Sequence, residues 1–381
     1  MTAALPPAST LIDGVFDEPR SLRAAALLRI LVGPVVLVHL APFVREMLRD
    51  RYYADSFYSP WVNWLPEPSK PLYFALLWVA VASAILLTIG LFTRTASVVT
   101  FGIVAYNFFL SQTHFHNNRA FLLIVLGCLM LTPCGRLLSL DAYRRWRDPA
   151  RDELAPLWPM YLLRFEALCV YLGSGGSKLL EPDWRAGIVT WDRVLRFRGR
   201  LEASIAPDWL IALVTREDFH FVFAKVAIAT EIGVALGLLW RRTRVGAIWV
   251  AIVFHVVIGI ALQVEVFSIV AIAALLVWAE PRTRDRVLEI DRSVPGALRL
   301  ERWVRRLDWL ARFEWRARNV TAIEAPDRPW LTLIDRDGRR LHDGHAALFA
   351  LSRCPALFPL VAPWLLPGMR ALAAVVLRRG A

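Results

Sequence analysis

The sequence has 381 residues, of which 57% are hydrophobic and only 20% are charged, and it includes 16 tryptophans. Soluble domains are rarely this apolar, so the composition excludes an ordinary soluble protein and predicts an all-α polytopic bundle of membrane helices. The formal net charge is +12, but no basic motif favours nucleic acid. In a membrane protein such charge is typical of cytoplasmic loops near anionic headgroups, so we expect the lipid bilayer as a partner and no nucleic acid.

Residues 1–20 are polar and acidic and show no cleavable signal peptide, so we expect a flexible or interfacial lead-in. Eight apolar stretches follow, and each is typical of a membrane-spanning helix. They comprise residues 21–44, 72–91, 96–110, 120–132, 161–184, 219–240, 245–262 and 266–278. Because the third, fourth and eighth stretches are short, they also fit re-entrant segments.

The arginine distribution predicts the orientation of these spans. Residues 136–151 and the RRTR link at 241–244 are the strongest short positive loops, and such loops stay in the cytoplasm. Eight spans then place both termini in the cytoplasm, as expected for a multi-pass protein of the inner (cell) membrane. The histidine-rich link at 111–119, the loop at 181–218 and the turn at 263–265 share the opposite side, although that loop is itself arginine-rich.

Lys178 is the most unusual charge in these stretches. The chain has only three lysines, and this one follows a GSGGS cluster at the end of the fifth stretch. Burying a lysine in a membrane is costly, and desolvation favours the neutral amine, which can act as a base. The cluster at 173–177 either lets a neighbouring helix or a ligand approach closely, or it breaks the helix and frees carbonyl groups to line a cavity.

Helical periodicity places Tyr171 and Arg164 on one stripe with Lys178, and Ser174 and Gly175 lie one turn away. This polar stripe is predicted to face the interior of the bundle rather than lipid.

Two further stretches carry polar residues at membrane depth. Glu231 lies mid-span in the sixth stretch and shares a face with His220, while His255 lies mid-span in the seventh. Such residues are candidates for a functional site. An alternative is that they form interhelical pairs, such as Lys225 with Glu231, that only hold the bundle together.

The link between the third and fourth stretches concentrates hydrogen-bonding side chains. They belong to His114, His116, Asn117, Asn118 and Arg119. Two histidines two residues apart, without a third ligand, are weak support for a metal, and none of the four cysteines has metal-ligand spacing. We therefore expect a polar lid over a cavity and no metal site.

Seven segments of the chain occur in an order typical of one membrane family. The segment YLLRFEALCVYLGSGGSKLLEPDWRAG is similar to a span that ends in a lysine followed by DW-x-x-G. The others are LRILVGPVVLVHL, FYSPWVNWLP, GLFTRTASVV, HNNRAFLLIVLGCLMLTPCGRLLSLDA, EIGVALGLLW and FHVVIGIALQVEVFSIVAIA. Over about residues 20–280 the chain resembles the HTTM family, which includes vitamin K-dependent gamma-carboxylase.

The resemblance implies roles for individual residues. In the carboxylase, the lysine that matches Lys178 deprotonates reduced vitamin K, and His255 matches a histidine that the family keeps. We therefore predict both as catalytic residues acting on a reduced quinone, either a cofactor or a lipid-soluble quinol substrate. The predicted ligand contacts are Tyr171, Ser174, Gly175, Glu231, His114, His116, Asn117, Asn118 and Arg119. Because Arg119 replaces a histidine and the large peptide-binding region is absent, quinone-type chemistry is better supported than carboxylation of a peptide.

The tail carries a second resemblance. Residues 330–379, from WLTLI to VVLRR, are similar to the C-terminal half of the DCC thiol-disulfide oxidoreductase family, which has a thioredoxin-like fold. WLTLI predicts a strand, DRDG a turn and GHAALFALSRC a helix. The family's D-x-x-C-x-x-C segment is absent, so we expect no dithiol exchange and interpret the tail as a degenerate remnant or docking module. An alternative is a further span at 355–378, which its three prolines and Arg370 disfavour.

The sequence therefore predicts four regions: a lead-in (1–20), an HTTM-like transmembrane domain (21–280), a basic connector (281–316) and a small α/β, degenerate thioredoxin-like tail (317–381). One hypothesis is a bacterial-type, gamma-carboxylase-like enzyme that uses Lys178 as a base on a quinol-type substrate. A second is a non-enzymatic scaffold or transporter-like bundle in which Lys178, Arg164 and Glu231 pair across helices. A third, redox partnership through the tail, predicts a thiol-dependent role for Cys354.

Overall fold

The computed structural model describes residues 16, 19–56, 58–145, 154–203, 207–262, 266–279, 286–308, 312–318, 329–366 and 369. The chain divides into two units, Met1–Trp278 and Ala279–Ala381. Most of the predicted lead-in, and the predicted turn at 263–265, fall outside the described residues.

The first unit has a helix at each of the eight apolar stretches. In chain order the helices are α1 (Arg23–Leu48), α2 (Lys70–Ile89), α3 (Thr93–Leu110), α4 (Asn117–Met130), α5 (Trp158–Leu180), the short α6 (Pro182–Ala186) and α7 (Ile188–Arg196), α8 (Glu217–Leu239), α9 (Arg244–Leu262) and α10 (Phe267–Ala274). Further short helices in the connections are Tyr53–Ser56, Leu140–Arg144, Arg198–Glu202 and Asp208–Val214. The eight predicted helices are confirmed as helices, with ends shifted by a few residues.

Among the described residues, α1, α2 and α8 are long and apolar enough to cross a membrane. Large apolar side chains are also exposed along the outer faces of the helices, and Val38, Trp78 and Val222 are each about half exposed. Large exposed apolar side chains on the long helices fit a lipid environment better than water. The number of eight spans remains a prediction.

The long helices pack in chain order, each against the next, from α1 to α5 and then α5, α8, α9 and α10. Helix α10 contacts α1, α4, α5 and α9, so the last helix closes the bundle against the first. Strand β1 (Pro19–Ser21) pairs antiparallel with β2 (Leu154–Pro156), with Arg20 opposite Ala155. This short sheet ties the start of α1 to the start of α5.

A group of polar contacts, here called the capping cluster, joins Arg29 on α1, the end of α2, the start of α3 and residues 138–141. The fully buried Arg29 guanidinium donates to the carbonyl oxygens of Leu87 (2.6 Å), Thr88 (2.8 Å) and Leu138. Asp141 accepts from the backbone N–H groups that begin α3. Since the last carbonyls and first N–H groups of a helix lack partners within it, the cluster satisfies both helix ends from other segments.

The second unit contains a four-stranded sheet in the order β4-β3-β5-β6. Its strands are β3 (Arg286–Asp291), β4 (Phe313–Arg318), β5 (Leu331–Ile334) and β6 (Arg340–His342). Strand β3 pairs parallel with β4 and antiparallel with β5, and β5 pairs antiparallel with β6. Its helices are α11 (Pro295–Leu307), α12 (Asp343–Arg353) and the short Phe358–Val361, and its core lies between the sheet and the first two.

The strand, turn and helix predicted from WLTLI, DRDG and GHAALFALSRC correspond to β5, a turn with Gly338 at φ 78°, and α12. The segment 281–316, predicted as a basic connector, instead contains β3, α11 and part of β4. Sequence reasoning missed this strand–helix–strand because its arginines obscured the alternation of Leu288 and Ile290, both of which are fully buried. At 355–366 the chain forms short helical turns broken by prolines.

Candidate functional site

A cavity of about 610 Å³ lies inside the first unit, between α4, α5, α7, α8 and α9. Its walls are largely apolar and include phenylalanine side chains from four helices, namely Phe121 of α4, Phe223 of α8, Phe254 of α9 and Phe267 of α10. Its polar lining residues are Asn117, Asn118, Glu166, Ser174, Ser177, Lys178, Thr190, Arg193 and Glu231. An apolar cavity with a few convergent polar groups is the usual form of a small-molecule site.

Lys178 forms the charged centre of this cavity. Its Nζ donates to Glu231 Oε1 (2.6 Å) and Oε2 (2.7 Å) and to Ser174 Oγ (2.7 Å). The Ser174 hydroxyl donates to Glu231 Oε1 (3.1 Å), which closes a three-residue network between α5 and α8. The Lys178 and Glu231 side chains are only 16% and 7% exposed, so this ion pair is largely desolvated.

Gly175 brings α5 and α8 close enough for this pair to form. A Cβ on Gly175 would lie 2.9 Å from Ile232 Cγ1 and 3.3 Å from Glu231 Cβ, so only glycine allows the observed approach. Helix α5 runs unbroken through 173–177. The interpretation that the GSGGS cluster breaks the helix is therefore wrong, and the alternative, close approach of a neighbouring helix, is confirmed.

Tyr171 and His255 form a separate pair next to the cavity. The Tyr171 hydroxyl lies 2.7 Å from His255 Nε2, and both residues are buried. The His255 ring packs against Phe254 and Phe267, two residues that line the cavity. Neither Tyr171 nor His255 is among the described lining residues, so the predicted catalytic histidine contacts residues of the cavity wall without lining the cavity itself. Its Nδ1 has no hydrogen-bond partner among the described residues.

The histidine-rich link contributes only its two asparagines to the cavity lining. Both begin α4, and the buried Asn118 Nδ2 has no hydrogen-bond partner among the described residues. His116 caps the same helix by accepting from the Asn118 N–H at 3.2 Å. His114 Nδ1 contacts the Asn107 carbonyl (2.8 Å), and Arg119 donates to the His114 carbonyl (3.0 Å).

The link is therefore not a polar lid as a whole, because backbone groups hold three of its five polar residues. Within the described chain, no cluster of three or more His, Cys, Asp and Glu side chains is arranged to hold a metal ion.

The other polar residues of the predicted stripe and helices make local structural contacts. Arg164 Nε donates to the Val277 carbonyl (2.8 Å) and its guanidinium stacks on the Tyr161 ring. His220 contacts Thr190 Oγ1 (3.1 Å) and the Val214 carbonyl (2.7 Å). Lys225 donates to the Arg185 carbonyl (3.2 Å) rather than to Glu231. The alternative pair of Lys225 with Glu231 is therefore wrong, and Glu231 pairs with Lys178.

Sequence reasoning missed several lining residues. Glu166 and Arg193 line the cavity, and neither has an ion-pair partner among the described residues. Glu166 shares a helical face with Gly173 and Ser177, so the same 3.6-residue count that found the Lys178 stripe could have found it. Arg193 lies on α7, within the loop that the sequence left without structure, and no sequence signal connects it with α5.

The match to known families covers the whole of this site. A model of the HTTM domain matches residues 18–282. No curated protein and no solved structure matches the chain. Every helix that lines the cavity, from α4 to α10, falls inside the matched range. The chain therefore belongs to the HTTM domain family.

Proposed function

We propose that this chain is an integral membrane protein whose cavity binds a lipid-soluble molecule with a polar head, and that Lys178 and Glu231 exchange a proton with that head. The observation that carries the proposal is the desolvated Lys178–Glu231 pair on the wall of a cavity that is also lined by phenylalanine rings. Charged groups at membrane depth are costly and usually mark a functional site.

The pair supplies the parts of an acid–base unit. When the proton between them lies on Glu231, the neutral Lys178 amine can accept a proton from a ligand hydroxyl. The O–H bond then breaks, a new N–H bond forms at Nζ, and the electron pair stays on the ligand oxygen. The Ser174 hydroxyl bonds both partners and keeps them aligned. The buried Asn118 amide, which lines the same cavity, is a donor available to the developing oxyanion.

A quinol-type molecule fits this chemistry. The volume of about 610 Å³ lies within the roughly 300–1,000 Å³ of small-molecule sites. The phenylalanine walls suit an aromatic ring, and the polar network provides a base and an amide donor for its hydroxyl oxygens. The resemblance to gamma-carboxylase supports the same ligand class. Carboxylation itself has less support, since Arg119 stands at the position of the carboxylase histidine and its guanidinium bonds the His114 carbonyl.

Mass spectrometry of co-purified lipids tests the ligand class. We expect a quinone enriched over the total membrane extract in wild type and in Lys225→Met, and reduced at least five-fold in Lys178→Met. Lys225 is the matched control because it also lies within a long apolar helix, α8, but outside the cavity lining. Equal quinone in all three proteins, or no enrichment in any, would overturn the proposal.

Cys169 offers an independent readout of the same site. It lines the cavity and is the exposed cysteine, whereas Cys128, Cys134 and Cys354 are buried. A bound quinone should therefore slow alkylation of Cys169 several-fold in wild type. Alkylation at an unchanged rate in saturating quinone would show that the ligand binds elsewhere.

The second candidate function is a non-enzymatic scaffold or transporter-like bundle. One observation favours it: the Lys178–Glu231 pair joins α5 to α8, as a purely structural pair would. Transporter sites commonly have broken helices. Helices α5 and α8 are instead continuous across the pair, which does not favour a transporter. Turnover by Lys178→Arg, described below, separates the two functions.

We further propose that the second unit is a degenerate thioredoxin-like module without thiol chemistry. Its β3–α11–β4 unit followed by β5, β6 and α12 has the connectivity of that fold. Val294 and Ala297 follow Asp291 at the spacing of D-x-x-C-x-x-C, so both thiol positions hold apolar residues. Burial raises the pKa of the Cys354 thiol to about 12, which leaves little thiolate at neutral pH. The protein should therefore not accelerate the reduction of a test disulfide by dithiothreitol. Acceleration by the wild type that Cys354→Ser abolishes would contradict this proposal.

A further inference from the structure

Helix α11 of the second unit presents an exposed face with an unusual composition. Its other face is buried against the sheet through Ala297, Glu301 and Val304. On the outer face Trp303 is 60% exposed and Leu298 is 36% exposed. By the helical repeat, three arginines share this outer face, at positions 299, 302 and 306.

Two of these charges are not balanced within the described chain. Arg302 donates only to the Leu298 carbonyl of its own helix, and Arg306 makes no ion pair with any described residue. By contrast, Arg305 and Arg292 both pair with the buried Glu301 carboxylate on the other side of the helix. From residue 279 onward the sequence has 19 arginines, no lysine and 12 acidic residues, a formal net charge of +7.

The same unit exposes a second apolar feature. Helix α11 contacts the turn Pro355–Leu357, and the chain continues from there into two short helical turns. In these turns Leu360 is 72% exposed and Leu366 is 59% exposed. Exposed Trp303 and Leu298 beside the arginines of α11, with exposed leucines elsewhere in the same unit, form the pattern of segments that lie in the interfacial layer of a bilayer.

We infer that the outer face of α11, with Trp303, Arg302 and Arg306, docks on the anionic phospholipid headgroups of the membrane in which the first unit sits. Charge complementarity favours an acidic surface, and each arginine near such a surface contributes about five-fold to binding. The tether is the chain itself, because only a short segment separates α10 of the first unit from β3 of the second. The inference does not depend on the ligand or chemistry proposed for the cavity.

The test uses the full chain in nanodiscs of phosphatidylcholine, with or without 30% phosphatidylglycerol. A nitroxide is attached at Leu298→Cys in a Cys169→Ser background, since the remaining cysteines are buried. Collision with an aqueous nickel chelate then measures how far the face is shielded from water. We expect strong shielding only in discs that contain phosphatidylglycerol, and loss of shielding in 0.5 M NaCl because salt screens headgroup attraction.

Two double substitutions, each of which removes two positive charges, distinguish this face from the rest of the second unit. Arg302→Gln with Arg306→Gln should weaken docking about 30-fold, from about 1 kcal/mol for each charge. Arg339→Gln with Arg340→Gln, on the exposed turn and strand between β5 and α12, should leave it unchanged. A label at Asp337→Cys, on the same turn, should stay accessible to nickel throughout.

Three outcomes would overturn the inference. The label at position 298 could show the same accessibility with and without phosphatidylglycerol. It could be shielded in both lipids and insensitive to the charge changes, which would mean that protein rather than lipid covers the face. The two double substitutions could also act equally, which would mean that net charge rather than this face attracts the membrane.

Discussion

The first unit buries two cations in opposite surroundings. Arg29, in the capping cluster, is fully buried and donates to three backbone carbonyls of α2 and the 138–141 segment. Lys178 faces a carboxylate and a hydroxyl and lines a cavity of about 610 Å³. Both residues are charges in apolar helices, and sequence alone would treat them alike.

The difference shows what distinguishes a structural charge from a reactive one. Backbone carbonyls cannot accept a proton at any ordinary pH, so Arg29 can only hold helix ends together. The Glu231 carboxylate can accept one, and the adjacent cavity gives a third molecule access to the pair. A buried charge is therefore a candidate for chemistry when its partner titrates and a cavity reaches it.

Arg29→Met should produce the largest loss of stability. Removing the guanidinium takes a donor from three carbonyls. Leu87 keeps the Gly90 N–H (3.2 Å), but Thr88 and Leu138 lose the Arg29 donor, and each unsatisfied group costs about 1–3 kcal/mol. We expect the free energy of unfolding to fall by about 4 kcal/mol, measured by thermal unfolding in detergent. Arg45→Met on the same helix is the control, because Arg45 is not buried and its loss should change stability by less than about 0.5 kcal/mol. Equal effects of both variants would remove the capping role.

Lys178 and Glu231 should separate stability from turnover. Lys178→Met leaves a largely buried carboxylate without its cation and should cost about 2 kcal/mol, less than a fully enclosed pair because the cavity admits water. Adding Glu231→Gln should recover about half of this loss. Lys178→Arg keeps the ion pair and most of the stability, but arginine stays protonated. We expect Lys178→Arg to lose all turnover of the co-purified ligand, and full turnover would remove the base role.

Gly175→Ala tests whether close helix approach builds the site. The added methyl would meet Ile232 Cγ1 at 2.9 Å and Glu231 Cβ at 3.3 Å, so both side chains have to shift, which disturbs the Lys178–Glu231 contact. We expect a loss of about 1 kcal/mol and weaker ligand retention. Gly176→Ala is the matched control, because a methyl group added there would have no neighbour within 4 Å, and its better helix propensity should stabilise the chain by up to about 1 kcal/mol. Similar effects of the two alanines would show that approach at Gly175 does not matter.

The sequence predicted the helices well because long apolar runs have few alternative structures. It also predicted that Lys178 and Ser174 on α5, and Glu231 on α8, face the interior, since each lies on a polar stripe of its own helix. It could not predict which polar stripes of different helices contact each other. Glu231 pairs with Lys178 rather than with Lys225 on its own helix, because helix packing, not sequence distance, decides which charges come together.

Two sets of predicted site residues make contacts that the sequence did not predict. The histidine-rich link was predicted as a lid because its residues are polar, but His114 and Arg119 bond local carbonyls, as polar residues next to helix ends often do. His255 was predicted as catalytic from its depth and the family resemblance. Its ring contacts Phe254 and Phe267, which line the cavity, but His255 is not itself a described lining residue. The position of a residue along a membrane helix predicts whether its side chain is buried. Whether that side chain lines a cavity depends on its aromatic neighbours from other helices, which the sequence does not identify.

Asp141 provides the smallest test, because it is the titratable member of the capping cluster. Burial alone would raise its pKa, but hydrogen bonds from the Thr93 N–H and hydroxyl and from the Phe92 N–H lower the pKa below its ordinary value. A carboxyl whose pKa is lower in the folded state stabilises above its unfolded pKa of about 3.9, and this contribution disappears as the pH falls through the folded value.

Asp141→Asn should therefore cost about 1 kcal/mol at pH 7, and the difference from wild type should shrink below about pH 4, as seen by thermal unfolding across pH 3–7. Asp192→Asn, in an exposed pair with Arg196, should have almost no effect at any pH. A penalty for Asp141→Asn that does not change with pH would mean that hydrogen-bond geometry, and not charge, caps α3. Since Lys178 and Glu231 are absent from this cluster, ligand retention should be unchanged in Asp141→Asn, which would separate the structural region from the reactive one.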